Sequence, residues 1–170
     1  SLITIVITEC ESTDYMWGDS LALVSEGAPQ GTGYVKAVNG EAGTSGAICM
    51  GNGPVVDISS LADGYLHVRV YVADKTNVLY DWGKFNLGDG ASSLQWSITA
   101  DMLQDGWTEL YLKLSDATGT TDLTKINNIW FYLYLRDAAT TFAMDDVYAC
   151  NFIPEPEEPS LITIVITECE

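Results

Sequence analysis

Rings and bases recur at alternate positions in this sequence. His67, Arg69 and Tyr71 alternate in one stretch, Tyr111 and Lys113 in a second, and Trp130, Tyr132, Tyr134 and Arg136 in a third. Aromatic rings stack on the apolar faces of sugars, and Arg, Lys and His donate to hydroxyls or carboxylates. Arg69, Lys113 and Arg136 are three of only seven basic residues, and His67 is the single histidine. If the three stretches share one sheet, they make an aromatic and basic surface on an acidic protein. Three readings of that surface stay open: a glycan groove, an interface for an acidic neighbour, and a secondary core covered by loops. The acidic neighbour could be the Pro-Glu stretch at 154–159 of another copy, or its Glu168 and Glu170. Trp82, with Tyr80 and Phe85 close in sequence, reads either as an exposed platform or as loop packing. Trp96 and Trp107 are expected in the core.

Catalytic chemistry has little to stand on. The sequence holds no Gly-x-Ser-x-Gly, HExxH, P-loop or Cys–His constellation. Asp145 and Asp146 are adjacent carboxylates, but glycoside hydrolysis needs two carboxyls at a defined separation across a cleft. A non-enzyme is expected. Cys10, Cys49, Cys150 and Cys169 lack CxxC spacing, which argues against zinc. Their pairing stays open.

The charge balance narrows the partners. Twenty-four acids against seven bases give a net charge of −17. That repels phosphate backbones and anionic lipid, so nucleic acid is excluded as a partner. It suits an exported protein, extracellular or at the cell surface, and a hard cation such as Ca²⁺. No run approaches the roughly 20 apolar residues of a membrane span. Residues 1–8 are too short, and lack the basic leader, for a signal peptide.

The elements that must position these side chains are strands. From residue 65 to 72, Leu66, Val68, Val70 and Val72 share one face, opposite His67, Arg69 and Tyr71. Leu110, Leu112 and Leu114 are inward in the next alternating stretch. Ile129, Phe131, Leu133 and Leu135 form a core face in the third, opposite Trp130, Tyr132, Tyr134 and Arg136. Further strands are expected at 21–24, 34–38, 47–50, 78–87, 93–98 and 141–150, with 12–19 read as a loop. Roughly ten short strands, frequent turn signals and no helical period predict an all-β protein, a two-sheet β-sandwich or jelly roll.

One stretch occurs twice. Residues 1–11 return letter for letter as 160–170. They are β-branched and apolar without Gly or Pro, and read as a strand. Residues 154–159, Pro-Glu-Pro-Glu-Glu-Pro, form an extended linker. The division is therefore 1–153 as the jelly-roll domain, 154–159 as linker, and 160–170 as a first strand belonging or donated to the next copy. Ile162, Ile164 and Ile166 would be the assembly face, as Ile3, Ile5 and Ile7 are in the first copy. A donated strand predicts head-to-tail assembly of copies into a fibre or stalk, since a heterologous contact that does not close makes a filament. The rival is a carbohydrate-binding module in which the duplication is incidental.

Several phrases resemble a known group. They are Val56-Asp57-Ile58-Ser59-Ser60 with the strand from Tyr65, then Asp105-Gly106-Trp107-Thr108-Glu109-Leu110, then Asp122-Leu123-Thr124-Lys125-Ile126-Asn127, then Met144-Asp145-Asp146-Val147-Tyr148. Together they look like the galactose-binding-like jelly roll of bacterial carbohydrate-binding modules and surface-protein repeats. The resemblance runs from about residue 11 to 148 and bears on fold more than function. It also implies a structural Ca²⁺ between the end of the first strand and the last strand. Asp145 matches the acid of the closing motif, and Glu9 or Glu11 the acid of the first strand. Hard oxygen ligands from two adjacent strands could bind one such ion.

Overall fold

Alternating apolar residues in a strand must find a second apolar face to bury against, and two such sheets solve the problem for each other. A computed structural model describes residues 1–155. It contains β1 (Thr4–Thr8), β2 (Met16–Gly18), β3 (Ala22–Val24), β4 (Tyr34–Val38), β5 (Thr44–Met50), β6 (Tyr65–Val72), β7 (Gly83–Gly88), β8 (Ser93–Ile98), β9 (Gly106–Lys113), β10 (Asn128–Leu135) and β11 (Thr141–Cys150). The assembly strand expected at Ile162, Ile164 and Ile166 lies outside the described residues, as does the linker beyond Glu155.

Six strands form one sheet in the order β3-β4-β11-β6-β9, with β1 also paired to β11; five form the other in the order β2-β5-β10-β7-β8. Every strand pairing is antiparallel. The expected two-sheet β-sandwich is the fold. Its core is where the alternation places it: Leu66, Val68 and Val70 from β6 meet Ile129, Phe131, Leu133 and Leu135 from β10, all but fully buried. Phe131 packs between Phe85 and Phe142, at ring-centroid distances of 5.6 and 5.4 Å.

Gly46 in β5 is required by that packing. A β-carbon there would lie 2.9 Å from the Phe142 ring and 3.3 Å from the Asn39 backbone nitrogen. The segment 12–19, expected as a loop, contains β2, which pairs Met16, Trp17 and Gly18 with Met50, Cys49 and Ile48. Among the described residues Cys10, Cys49 and Cys150 are buried and no disulfide joins them.

Candidate functional site

The alternation of β6, β9 and β10 holds, but the three strands do not share a sheet. β6 and β9 pair with each other in the six-stranded sheet, whereas β10 lies between β5 and β7 in the other. The expected single surface is therefore two, on opposite sides of the sandwich. His67, Arg69, Tyr71, Tyr111 and Lys113 belong to one side. Trp130, Tyr132, Tyr134, Arg136 and Trp82 belong to the other.

On the six-stranded side the polar groups satisfy one another. His67 is 0% exposed, which corrects its reading as a surface donor. Its Nδ1 is 2.8 Å from the Asp146 carbonyl and its Nε2 2.7 Å from Glu109 Oε1. Tyr148 stacks on the imidazole at 4.1 Å, and the Tyr111 hydroxyl donates to Glu109 at 3.1 Å. Arg69 lies between Glu109 at 3.4 Å and Asp146 at 3.5 Å. Burial alone would raise the Glu109 pKa, but the His67 hydrogen bond and the Arg69 charge outweigh it and hold it below its usual value. Trp107, expected in the core, is half-buried on this outer face, with its ring 5.1 Å from Tyr34 and 5.4 Å from Tyr71. Lys113 ends β9 on the same side, exposed, and its carbonyl accepts the Trp96 indole N–H from inside. Trp96 is in the core as expected.

The five-stranded side is built differently. Its outer face carries small residues from β5, namely Ser45, Ala47 and Cys49, between large ones. Register places Trp17, Cys49, Trp130, Asn86 and Gln95 on a single rung across all five strands. Trp17 is 51% and Trp130 55% exposed, and the space between them, floored by Ala47 and Cys49, is a trough of about 550 Å³ ending at Asp19 and Asn128. A second hollow of about 470 Å³ continues it past Ser45, Ala47, Tyr132 and Tyr134. Asn86 is held rigidly on the rung, donating to the Trp130 carbonyl at 3.0 Å and accepting from Gln95 at 2.7 Å.

The rings along the trough form a continuous row. Centroids are 5.6 Å apart from Trp130 to Tyr132, 6.3 Å from Tyr132 to Tyr134, 5.4 Å from Tyr134 to Trp82, and 4.2 Å in the Trp82–Tyr80 stack. Trp82 is exposed and also packs on Tyr80 within its loop. Tyr80 holds φ at 58°, a conformation uncommon for a bulky residue and met where structure is held for a purpose. Lys84 is tied to Ser97 at 2.7 Å beside Tyr132. Arg136 lies beyond the end of β10 and pairs with Asp137 at 3.2 Å. Among the described residues Asp19 is the one carboxylate lining the two hollows, and one of its oxygens already accepts the Ala47 N–H. This arrangement presents apolar ring surface with polar side chains at the margins, and among the described residues it lacks a carboxylate pair.

Trp17, Asp19, Ala47 and Asn128 were not among the residues singled out from sequence, and Cys49 was weighed only as a thiol. The small outward residues at 45, 47 and 49, opposite inward Gly46 and Ile48, are the signal that could have pointed to a trough.

The acids assigned to Ca²⁺ behave unequally. Among the described residues no three His, Cys, Asp or Glu side chains converge as a metal-binding group. Glu9 is exposed, and Glu11 accepts the Thr32 N–H at 3.1 Å. Asp145 is 0% exposed, and neither of its oxygens has a hydrogen-bond partner; the same holds for the buried Gln30 Oε1. The amides of Asp146 and Gln30 approach the carboxylate and favour its charge, but burial dominates and pushes its pKa up to about 7. Of the assigned acids, Asp145 alone has buried oxygens that no hydrogen bond satisfies, the chemistry a hard cation would suit.

No family model matches the chain, and no curated protein sequence matches it. Solved structures do resemble its fold. A family 11 carbohydrate-binding module from Clostridium thermocellum, in complex with a β-1,3-1,4-mixed-linked tetrasaccharide, superposes with a TM-score of 0.60 at 14% identity, over 89% of this chain and 98% of that one. A family 30 carbohydrate-binding module of a Clostridium thermocellum cellulosomal cellulase gives 0.57 at 13% identity, over 88% and 98%. An agarase gives 0.54 at 10% identity, over 87% of this chain and 26% of that one. The jelly-roll β-sandwich expected from the sequence motifs is thus the fold of these modules. Among the described residues no helix is long and apolar enough to cross a membrane.

Proposed function

We propose that this chain is a non-catalytic, extracellular carbohydrate-binding module whose binding face is the outer face of the five-stranded sheet. The observation that carries the reading is the trough floored by small side chains and flanked by Trp17, Trp130, Tyr132 and Tyr134, with Trp82 and Tyr80 extending the ring contacts beyond it. The trough suits an extended, neutral polysaccharide: the exposed Trp17 and Trp130 offer apolar ring surface to a sugar's C–H face, while Asp19, Asn128 and Ser45 offer partners to its hydroxyls. The fold's likeness to modules that include one holding a mixed-linked tetrasaccharide supports the same class. Among the described residues a single carboxylate, Asp19, lines the trough, which favours binding over two-carboxylate hydrolysis. Ca²⁺ at Asp145 and Gln30 would serve this module structurally, tying β11 to the 27–33 turn.

The fibre reading is not the one adopted. The slot beside β11 is already filled by β1, so a strand donated by another copy would exchange one segment for its identical twin with no new pairing to drive growth. The test is affinity electrophoresis through soluble polysaccharides, beginning with mixed-linked β-glucan. Retention by the native chain, lost in Trp130→Ala and Tyr132→Ala with unchanged circular dichroism, is the expected result. No retention on a broad polysaccharide set would overturn the assignment.

A further inference from the structure

Residues 1–11 and 160–170 are identical, and among the described residues the fold has a place for one of them. β1 lies antiparallel to the end of β11, with Thr4 opposite Cys150, Ile5 opposite Ala149 and Val6 opposite Tyr148. Ile5 and Ile7 pack against the core, and Cys10 behind them is fully buried. Asn151 clamps the entry: its side chain accepts the Ile3 N–H at 2.8 Å and donates to the Ser1 carbonyl at 2.9 Å. The other flank of β11 belongs to β6, and its first half to β4. Two segments match this slot residue for residue.

Chain direction suits both segments. β11 leaves the slot at Cys150, and a segment that turns back after it runs antiparallel to it, as β1 does. In the register of β1, Thr163 would face Cys150 and residues 151–162 would form the connection. A dozen residues can span up to about 40 Å, whereas neighbouring strands lie only about 4.8 Å apart. The cost of closing such a loop grows slowly with its length.

We infer that residues 160–170 are an alternative occupant of the β1 slot in their own chain. The six-stranded sheet closes with either copy, and the other copy is released. Because the side chains are the same, the contacts in the slot are the same, and the two closures differ only in how the occupant is tethered. Closure by 160–170 frees residues 1–11, a strand without Gly or Pro and uncharged over its first eight residues, to pair with another sheet edge.

Thiol protection in the full chain reads which copy is in the slot, because a buried thiol reacts only when its strand opens. Cys10 reports the first copy and Cys169 the second. Ile5→Lys disables the first copy, Ile164→Lys the second, and the double variant both. Native labelling followed by peptide mass spectrometry should find Cys10 protected and Cys169 reactive in Ile164→Lys. In Ile5→Lys the pattern should reverse, with Cys169 slowed at least about tenfold relative to the double variant, in a monomer with near-native Tm. Three results would overturn the inference: Ile5→Lys as unstable as the double variant, Cys169 reactive at the double variant's rate, or Cys169 protected only in dimers and larger species. The last would assign the slot to a second copy's segment.

Discussion

Replacing Asp145 with Asn tests the electrostatics of the closing strand directly. The Asp145 carboxyl is fully buried and neither oxygen accepts a hydrogen bond, so burial lifts its pKa from 3.8 to about 7. The folded state therefore keeps a proton that the unfolded state releases. Stability from this group is fully present below pH 3.8 and is lost as the pH rises through about 7. Three pH units at about 1.36 kcal/mol each come to about 4 kcal/mol lost in metal-free buffer. Asn at this site has no proton to lose, but its amide must find partners, at a cost of about 1–3 kcal/mol. In EDTA, Asp145→Asn should be equal to or below the native chain in stability at about pH 4, and should exceed it by about 1–3 kcal/mol at about pH 8. Cys10, the nearby thiol, is held well above its usual pKa by burial and by the Asp145 charge, so it stays neutral over this range. Urea unfolding followed by tryptophan fluorescence, repeated across the pH range for both proteins, gives the difference directly. A difference that stays flat with pH would refute the reasoning, because it would mean that Asp145 is ionised in the folded protein at no cost.

The remaining expectations are briefer. Millimolar Ca²⁺ should raise the Tm of the native chain at neutral pH and leave Asp145→Asn unmoved, since a ligand stabilises only the state it binds; equal shifts in both would remove Asp145 from the cation site. Trp17→Ala should weaken polysaccharide binding at least about tenfold, or ~1.4 kcal/mol, whereas Trp107→Ala on the opposite sheet should leave it unchanged; calorimetry with both variants decides which face binds. Gly46→Ala should destabilise by about 1–3 kcal/mol through its clash with Phe142, read as a lower urea midpoint; an unchanged midpoint would mean that Phe142 yields without strain.

Side-chain alternation is a local property, and it was legible. The inward sets Leu66-Val68-Val70 and Ile129-Phe131-Leu133-Leu135 follow from period-2 spacing alone, because successive side chains on a strand point to opposite faces. The all-β class and the jelly-roll architecture followed from the number of such stretches and from the motifs around Asp105 and Asp145. Trp130, Tyr132 and Tyr134 were placed outward for the same reason. Which sheet each strand joins is not local. β10 pairs with β5 and β7, and β6 with β9 and β11, partners set by long-range packing that no window of sequence contains. That pairing separated one expected surface into two, brought Trp17 across Cys49 from Trp130, and enclosed His67 between Tyr148 and Glu109. Trp107 was expected in the core, yet its place in the β9 register puts it outside with Tyr34 and Tyr71. The duplication of residues 1–11 is visible in the sequence alone. That the first copy fills the slot beside β11 is decided by the tertiary pairing.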